Sequence, residues 1–221
     1  ASTHYFANGI YEGRSFDSFD EWGYLASNSD LLAAFGSNTY SGVLHYINHG
    51  YAEGRSTDSF DAYSYLASYS DLLKTFGSNT TSAIVHFVNN GYSEGRSTDL
   101  FNEFSYIASH TELLAMYGVN DGDDATEHYV IEGYAAGKAA DSFDEYGYIA
   151  SYADLISAFG TDKLAATKHY IEYGSTEGRT ITFDAELYLA TYSDLSAAFS
   201  SDQELAKKHY IEYGFNEGRI G

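Results

Sequence analysis

Residues 56–96 read STDSFDAYSYLASYSDLLKTFGSNTTSAIVHFVNNGYSEGR, and this stretch decides the fold because the chain repeats it. The pair His86-Phe87 sets the register. His followed by an aromatic recurs at His4, His45, His86, His128, His169 and His209, at steps of 41, 41, 42, 41 and 40 residues. Gly stands five residues after each His, at Gly9, Gly50, Gly91, Gly133, Gly174 and Gly214. Glu-Gly-Arg follows, ending at Arg14, Arg55, Arg96, Arg179 and Arg219, which are all the arginines of the chain; one copy instead reads Ala136-Gly137-Lys138. Self-similarity at a fixed period marks a repeat architecture. The repeats fall at 15–55, 56–96, 97–138, 139–179 and 180–221, after the C-terminal part of a truncated repeat at 1–14. A chain that opens inside a repeat, without an initiator Met, reads as a piece of a longer array.

Within 56–96, Phe60-Asp61 predicts a helix start. Asp61 is the expected N-cap, accepting from the first free backbone N–H groups. Phe60 and Tyr65 have the spacing of a hydrophobic staple, and the pair recurs at Phe19/Tyr24, Phe101/Tyr106, Phe143/Tyr148 and Phe183/Tyr188. A second helix is expected to begin with a capping box, Ser68-x-x-Asp71, repeated at Ser27/Asp30, Ser109/Glu112, Ser151/Asp154 and Thr191/Asp194. It should bury Leu72, Leu73 and Phe76 and stop at Gly77, as the others stop at Gly36, Gly118 and Gly160, with Ser200 in that place in the last repeat. Asn38, Asn79, Asn120, Asp162 and Asp202 are the expected caps of a third helix, the one that carries the His. Three residues before the His stands Gly42, Ala83, Ala125, Ala166 or Ala206, small enough for two helices to approach. Two residues after it an aliphatic enters the core, and the Gly at His+5 is expected to end the helix. Helices this short are not stable alone. The expected fold is therefore all-α, a solenoid of about five three-helix repeats in which each repeat depends on its neighbours.

The net charge of −21 opposes nucleic acid and anionic membrane surfaces and suits cationic partners. No apolar run approaches the roughly 18 residues that membrane insertion needs. With no Cys there is neither a disulfide framework nor a thiolate metal site. The 23 Tyr and 14 Phe supply ample core-forming surface, so the acidity is not that of a disordered chain.

The pattern Phe-Asp…Tyr-Leu-Ala-Ser-x-x-Asp-Leu…His-Tyr-x-x-x-Gly-x-x-Glu-Gly-Arg resembles the HYxxxGxxEGR tandem repeats of bacterial proteins, across essentially the whole chain. Where that family often has Asn-Pro-Asp, this chain has Tyr69-Ser70-Asp71 and Tyr192-Ser193-Asp194, and it contains no Pro. The resemblance implies a large exported protein of the kind that also carries calcium-binding RTX repeats or glycosyltransferase domains. It implies an extracellular or cell-surface location and no single shared activity.

Several residue sets invite chemistry. His45, His86, His128, His169 and His209 suggest a metal. Stacked helices lie about 8–10 Å apart, however, too far for one His per layer to share one ion. A structural role follows, with each His bonded to a backbone carbonyl or to the motif Glu. Arg14, Arg55, Arg96, Arg179 and Arg219 could grip anionic sugars, or tie their loop to a neighbouring carboxylate. The Gly of Glu-Gly-Arg is expected at positive φ, which explains why Gly137 persists where Glu and Arg do not. Gly50, Gly91, Gly133, Gly174 and Gly214 belong to the same structural set. Asn120, Asp121, Asp123 and Asp124 cluster oxygen ligands for a possible Ca²⁺ site, without the spacing of an EF-hand. Tyr51, Tyr92, Tyr134, Tyr173 and Tyr213 are candidate ligand contacts, with Tyr69, Tyr152 and Tyr192 as further unassigned rings. The two residues before the His run from apolar (Val43-Leu44, Ile84-Val85) to polar (Thr126-Glu127, Thr167-Lys168, Lys207-Lys208), which predicts a face buried early and exposed late.

No nucleophile elbow, P-loop, zinc-protease or dinucleotide motif is present, so the chain reads as no enzyme. The expected function is a structural or assembly module of a secreted or cell-surface bacterial protein, its partners other copies of itself or neighbouring repeats. The alternative is a multivalent array that binds cell-surface polysaccharide or another ligand. No cofactor is expected beyond the possible Ca²⁺.

Overall fold

The computed structural model describes residues 18–221. The segment 1–14, with His4, Gly9 and Arg14, lies outside them. The described residues are helical, without a strand. Three helices recur in each repeat: α1 (Glu21–Ala26), α2 (Ser29–Phe35) and α3 (Thr39–His45); α4 (Ala62–Ala67), α5 (Ser70–Phe76) and α6 (Thr80–His86); α7 (Glu103–Ala108), α8 (Thr111–Leu114) and α9 (Gly122–His128); α10 (Glu145–Ala150), α11 (Ala153–Phe159) and α12 (Lys163–His169); α13 (Ala185–Thr191), α14 (Ser193–Phe199) and α15 (Gln203–His209). Each third helix runs on without a break into a wide π turn, at Tyr46–Gly50, Phe87–Gly91, Tyr129–Gly133, Tyr170–Gly174 and Tyr210–Gly214.

The first helix of each repeat starts where the sequence predicts. Asp61 Oδ1 accepts from the N–H groups of Tyr63 and Ser64 at 2.9 and 3.0 Å, and Asp20, Asn102, Asp144 and Asp184 cap in the same way. The staple closes over the cap, with ring centroids 5.5–5.7 Å apart, from Phe19/Tyr24 to Phe183/Tyr188. The five staple tyrosines are fully buried, each followed by a buried Leu or Ile.

The second helix starts otherwise. Its N-cap is the residue after the Ser, or after Thr191 in the last repeat: Asn28, Tyr69, His110, Tyr152 or Tyr192, and none of these side chains bonds the helix end. The capping-box expectation is therefore corrected. Ser151 Oγ donates to Gly147 O and accepts from Thr182 and Phe183 N–H at 2.8 and 3.0 Å, the approach to the next repeat's first helix. Ser27 accepts from Phe60, Ser68 from Leu100 and Ser109 from Ser142 in the same manner. A hydroxyl that serves a backbone about 32 residues away is not free to cap its own neighbour. The second helix ends at positive φ on Gly36, Gly77 and Gly160 and on Ser200, the one described non-glycine residue there, at φ 55°. Gly118 does not share that conformation: α8 stops at Leu114, four residues earlier. Asn120 is likewise not the cap of α9, which begins after Asp121.

Gly42, Ala83, Ala125, Ala166 and Ala206 are buried on the third helices. A Cβ on Gly42 would sit 3.1 Å from Leu25, so the third helix packs close against the first. The Gly at His+5 does not end the helix as expected. Chain reversal comes four residues later, at Gly54, Gly95, Gly137, Gly178 and Gly218, with φ between 67° and 73°. The N–H of Arg55 reaches Gly50 O at 3.0 Å and that of Gly54 reaches Tyr51 O at 3.2 Å, the paired bonds of a Schellman turn.

The contacts divide the chain into two compact units, 1–100 and 101–221. In the first, α1 packs on α3 and also on α6 and the π turn after it. In the second, α7 packs on α9, α12 and the following π turn; α10 on α12, α15 and the following π turn; and α13 on α15. Within each unit a first helix is covered by the third helix of its own repeat and, at α1, α7 and α10, by that of the next. Ile211 accordingly lies in one buried cluster with Tyr148, Ile149, Leu155 and Ala166 of the preceding repeat. The apolar-to-polar gradient before the His does not have the predicted outcome. Thr126, Thr167 and Lys207 are buried, whereas Val43 and Ile84 are half-buried. Both threonines bond their own helix backbone, and Lys207 Nζ meets Asp144 and Glu204 at 2.7 and 2.6 Å.

Candidate functional site

Each His sits at the junction of the third helix and the π turn, and its partner is neither a carbonyl nor the motif Glu. Nδ1 of His45, His86, His128, His169 and His209 bonds the hydroxyl of Tyr24, Tyr65, Tyr106, Tyr148 and Tyr188 at 2.9–3.1 Å. Burial pushes the Tyr65 and Tyr188 phenols up to about 12 and raises the other three. The phenol therefore stays neutral, and its hydroxyl shares a hydrogen bond with the imidazole Nδ1. The aromatic after the His stacks on the staple Phe, at 4.5 Å for Phe19/Tyr46 and 4.7 Å for Phe183/Tyr210. A ring at the end of the second helix, such as Phe76 at 5.5 Å from His86, packs on the imidazole.

The Gly at His+5 completes this arrangement. A Cβ there would lie 2.1–2.3 Å from the tyrosine hydroxyl in all five repeats. The helix must pass over that oxygen with no side chain. The π turn, with its i→i+5 bonds such as Tyr92 N–H to Phe87 O at 2.9 Å, carries the backbone past it.

Each described Glu-Gly-Arg arginine is held between two carboxylates. Arg55 gives Nη1 to both oxygens of Asp30 at 2.8 Å and Nε to Glu53 at 2.6 Å. Arg96, Arg179 and Arg219 repeat this with Asp71/Glu94, Asp154/Glu177 and Asp194/Glu217. Tyr69, Tyr152 and Tyr192 lie under the last three guanidinium groups at 4.7–4.9 Å, which accounts for these rings. The hydrogen bond from Arg holds the carboxyls of Asp30, Asp71 and Asp194 below the usual range. In the degenerate repeat Lys138 pairs with Glu112, a shorter base meeting a longer acid. Two carboxylates already hold each described guanidinium.

The candidate ligand-contact tyrosines do not form one row. Tyr51, Tyr92 and Tyr134 follow the Gly and pack edge-on against Tyr46, Phe87 and Tyr129. Tyr173 and Tyr213 precede it and pack against His169 and His209. All lie at the surface to differing degrees. Of the acidic cluster, Asp121 accepts from Gly118 N–H at 2.8 Å, while Asp123 and Asp124 lie in the first turn of α9. Among the described residues no three His, Asp or Glu converge on a point that could hold a metal ion.

The surface carries grooves rather than closed cavities. One of about 530 Å³ in the first unit is lined by Ser27, Ser59, Asp61, Tyr92, Arg96 and Asp99. Two shallower ones, of about 330 and 310 Å³, run beside His86 and His128. Sequence reasoning missed the hydroxyl-lined groove because its walls come from residues 26–99, and only the fold brings them together. No family model, curated protein or solved structure matches the chain.

Proposed function

We propose that the chain is a structural module, a solenoid of five three-helix repeats in a secreted or cell-surface bacterial protein, and that it works by repeated contact between repeats and between copies of itself. One observation carries this reading: the chemistry-bearing side chains are spent on the fold. Every described His is bonded to a buried Tyr or backed by ring contacts, and every described Arg is clamped by two carboxylates. Such side chains are committed to building the repeat. Small-angle scattering with negative-stain microscopy tests it. Rods or filaments of constant width are the expected result; a compact globule sinks the solenoid.

The groove in the first unit favours a second reading, a site for a neutral saccharide. Serine hydroxyls and the Asp61 and Asp99 carboxylates can bond sugar hydroxyls beside the partly exposed Tyr92 ring. Calorimetric titration with neutral oligosaccharides, repeated on Tyr92→Ala, decides it. Flat isotherms for the unaltered chain remove this reading.

A further inference from the structure

Two described histidines stand outside the five Tyr–His junctions. His110 donates its Nε2–H to Ala139 O at 2.8 Å and so has its partner. His49 lies four residues after His45, with the two ring centroids 5.6 Å apart and the ring planes at 50°. The backbone sets that pose. Tyr173 stands 5.6 Å from His169 at 49°, and Tyr213 stands 5.6 Å from His209 at 46°. The position is exposed in every repeat, at Asn90, Glu132, Tyr173 and Tyr213 as at His49. The exposure of His49 therefore belongs to the repeat itself and not to its place along the chain.

Two imidazoles within one repeat can share an ion where one per repeat cannot. With each ligating nitrogen about 2.0–2.1 Å from the metal, the centres of two neighbouring rings stand about 5 Å apart, so a shift of about half an ångström in the exposed ring brings the pair into place. Nδ1 of His45 is engaged with the Tyr24 hydroxyl at 2.9 Å, so Nε2 is the nitrogen left for a ligand. With a metal on Nε2 the proton sits on Nδ1, which then donates a hydrogen bond to that hydroxyl. This is the outer bond that orients a metal-ligating imidazole.

Glu53 supplies a counter-charge. Its carboxyl lies below the usual range chiefly because Arg55 donates to it, and the charges of His45 and His49 lower it further. Its hydrogen bond to Arg55 leaves two imidazole nitrogens as the protein's ligands, with water completing the shell. Such a set suits ions of borderline softness and not Ca²⁺, which takes oxygen ligands.

We propose that His45 and His49 chelate one divalent transition-metal ion of the Zn²⁺, Ni²⁺ and Cu²⁺ class. The site needs only the repeat that holds it, so it stands or falls separately from the assembly reading.

Calorimetric titration with Zn²⁺, with Ca²⁺ in excess throughout to occupy surface carboxylates, tests it on the full chain, on His49→Asn and on Asn90→His. His49→Asn installs the residue that the next repeat carries at this position and keeps the bond between His45 and Tyr24, so the fold should be retained, checked by circular dichroism. Asn90→His sets a second imidazole beside His86 in the same way. The expected result is one Zn²⁺ per unaltered chain and binding at least about tenfold weaker in His49→Asn, since even an outer partner of a ligand is worth about 10–100-fold. Asn90→His should bind two ions per chain. Equal binding by the unaltered chain and His49→Asn would assign the ion to other groups and overturn the site. A flat titration of the unaltered chain overturns it as well, and an Asn90→His chain that gains no ion overturns its geometric basis.

Discussion

Tyr65, His86 and Gly91 act as one device, repeated in kind five times: a buried phenol, the imidazole bonded to it, and a residue with no Cβ above the oxygen. Gly91→Ala puts a methyl 2.2 Å from that oxygen and should cost about 1–3 kcal/mol in chemical denaturation, as overpacking does. Tyr65→Phe leaves His86 Nδ1 without its partner and should cost about 1–3 kcal/mol. The two changes should not add. Removing the hydroxyl makes room for the methyl, so the double variant is expected to lose less than the sum. Strict additivity would mean that the glycine is there for another reason. Ser200 is the opposite case, a side chain at φ 55° where three other repeats use Gly. Ser200→Gly should raise stability by about 1 kcal/mol, since strain of that kind is worth about 1–3 kcal/mol and glycine's flexibility returns part of it. The glycines and the His were visible in the sequence as a spacing. Their partner was not, because Tyr and His lie 21 or 22 residues apart and only packing joins them.

The first helix was legible almost completely at the level of elements. Cap, staple and buried Leu are all local, and local rules read local bonds. The second helix was misread for an instructive reason: Ser-x-x-Asp is the pattern of a capping box, but long-range partners claim both side chains. Arg96 takes Asp71, and the Leu100 N–H takes Ser68. Ser151→Ala tests this assignment. It removes the acceptor of two amides, so hydrogen exchange at Thr182 and Phe183 should speed up while that in the first turn of α11 stays unchanged. Faster exchange in α11 instead would restore the capping box. The third helix was read correctly in its small residue and His, and wrongly in its end. A Gly after a helix usually marks a C-terminus, and here a close approach to an oxygen demands it in mid-helix.

Stability of the whole molecule should depend on pH at both extremes. The staple tyrosines have folded-state values raised above the ordinary 10, two of them to about 12. Their contribution is complete below pH 10 and is lost as pH rises from 10 to 12. After the exposed tyrosines have ionised, a later step of tyrosinate absorbance should coincide with alkaline unfolding, and ionisation of the staple tyrosines in a folded chain would contradict their burial. The clamped aspartates are lowered, so their contribution is present above the ordinary carboxylate range and falls away as pH drops through the depressed values. With a net charge of −21, self-repulsion is the larger long-range effect, and added salt should raise the melting temperature despite weakening exposed ion pairs. The offset between sequence repeat and packed core also has a genetic consequence. Within each unit the π turn of one repeat lies in the core of the repeat before it, so a cut at a repeat boundary inside a unit parts a first helix from the turn that covers it. A duplication or deletion of one whole period within a unit, wherever its endpoints fall, sets a π turn beneath the preceding first helix again. An array built this way can be lengthened or shortened by unequal recombination, with no new interface having to arise.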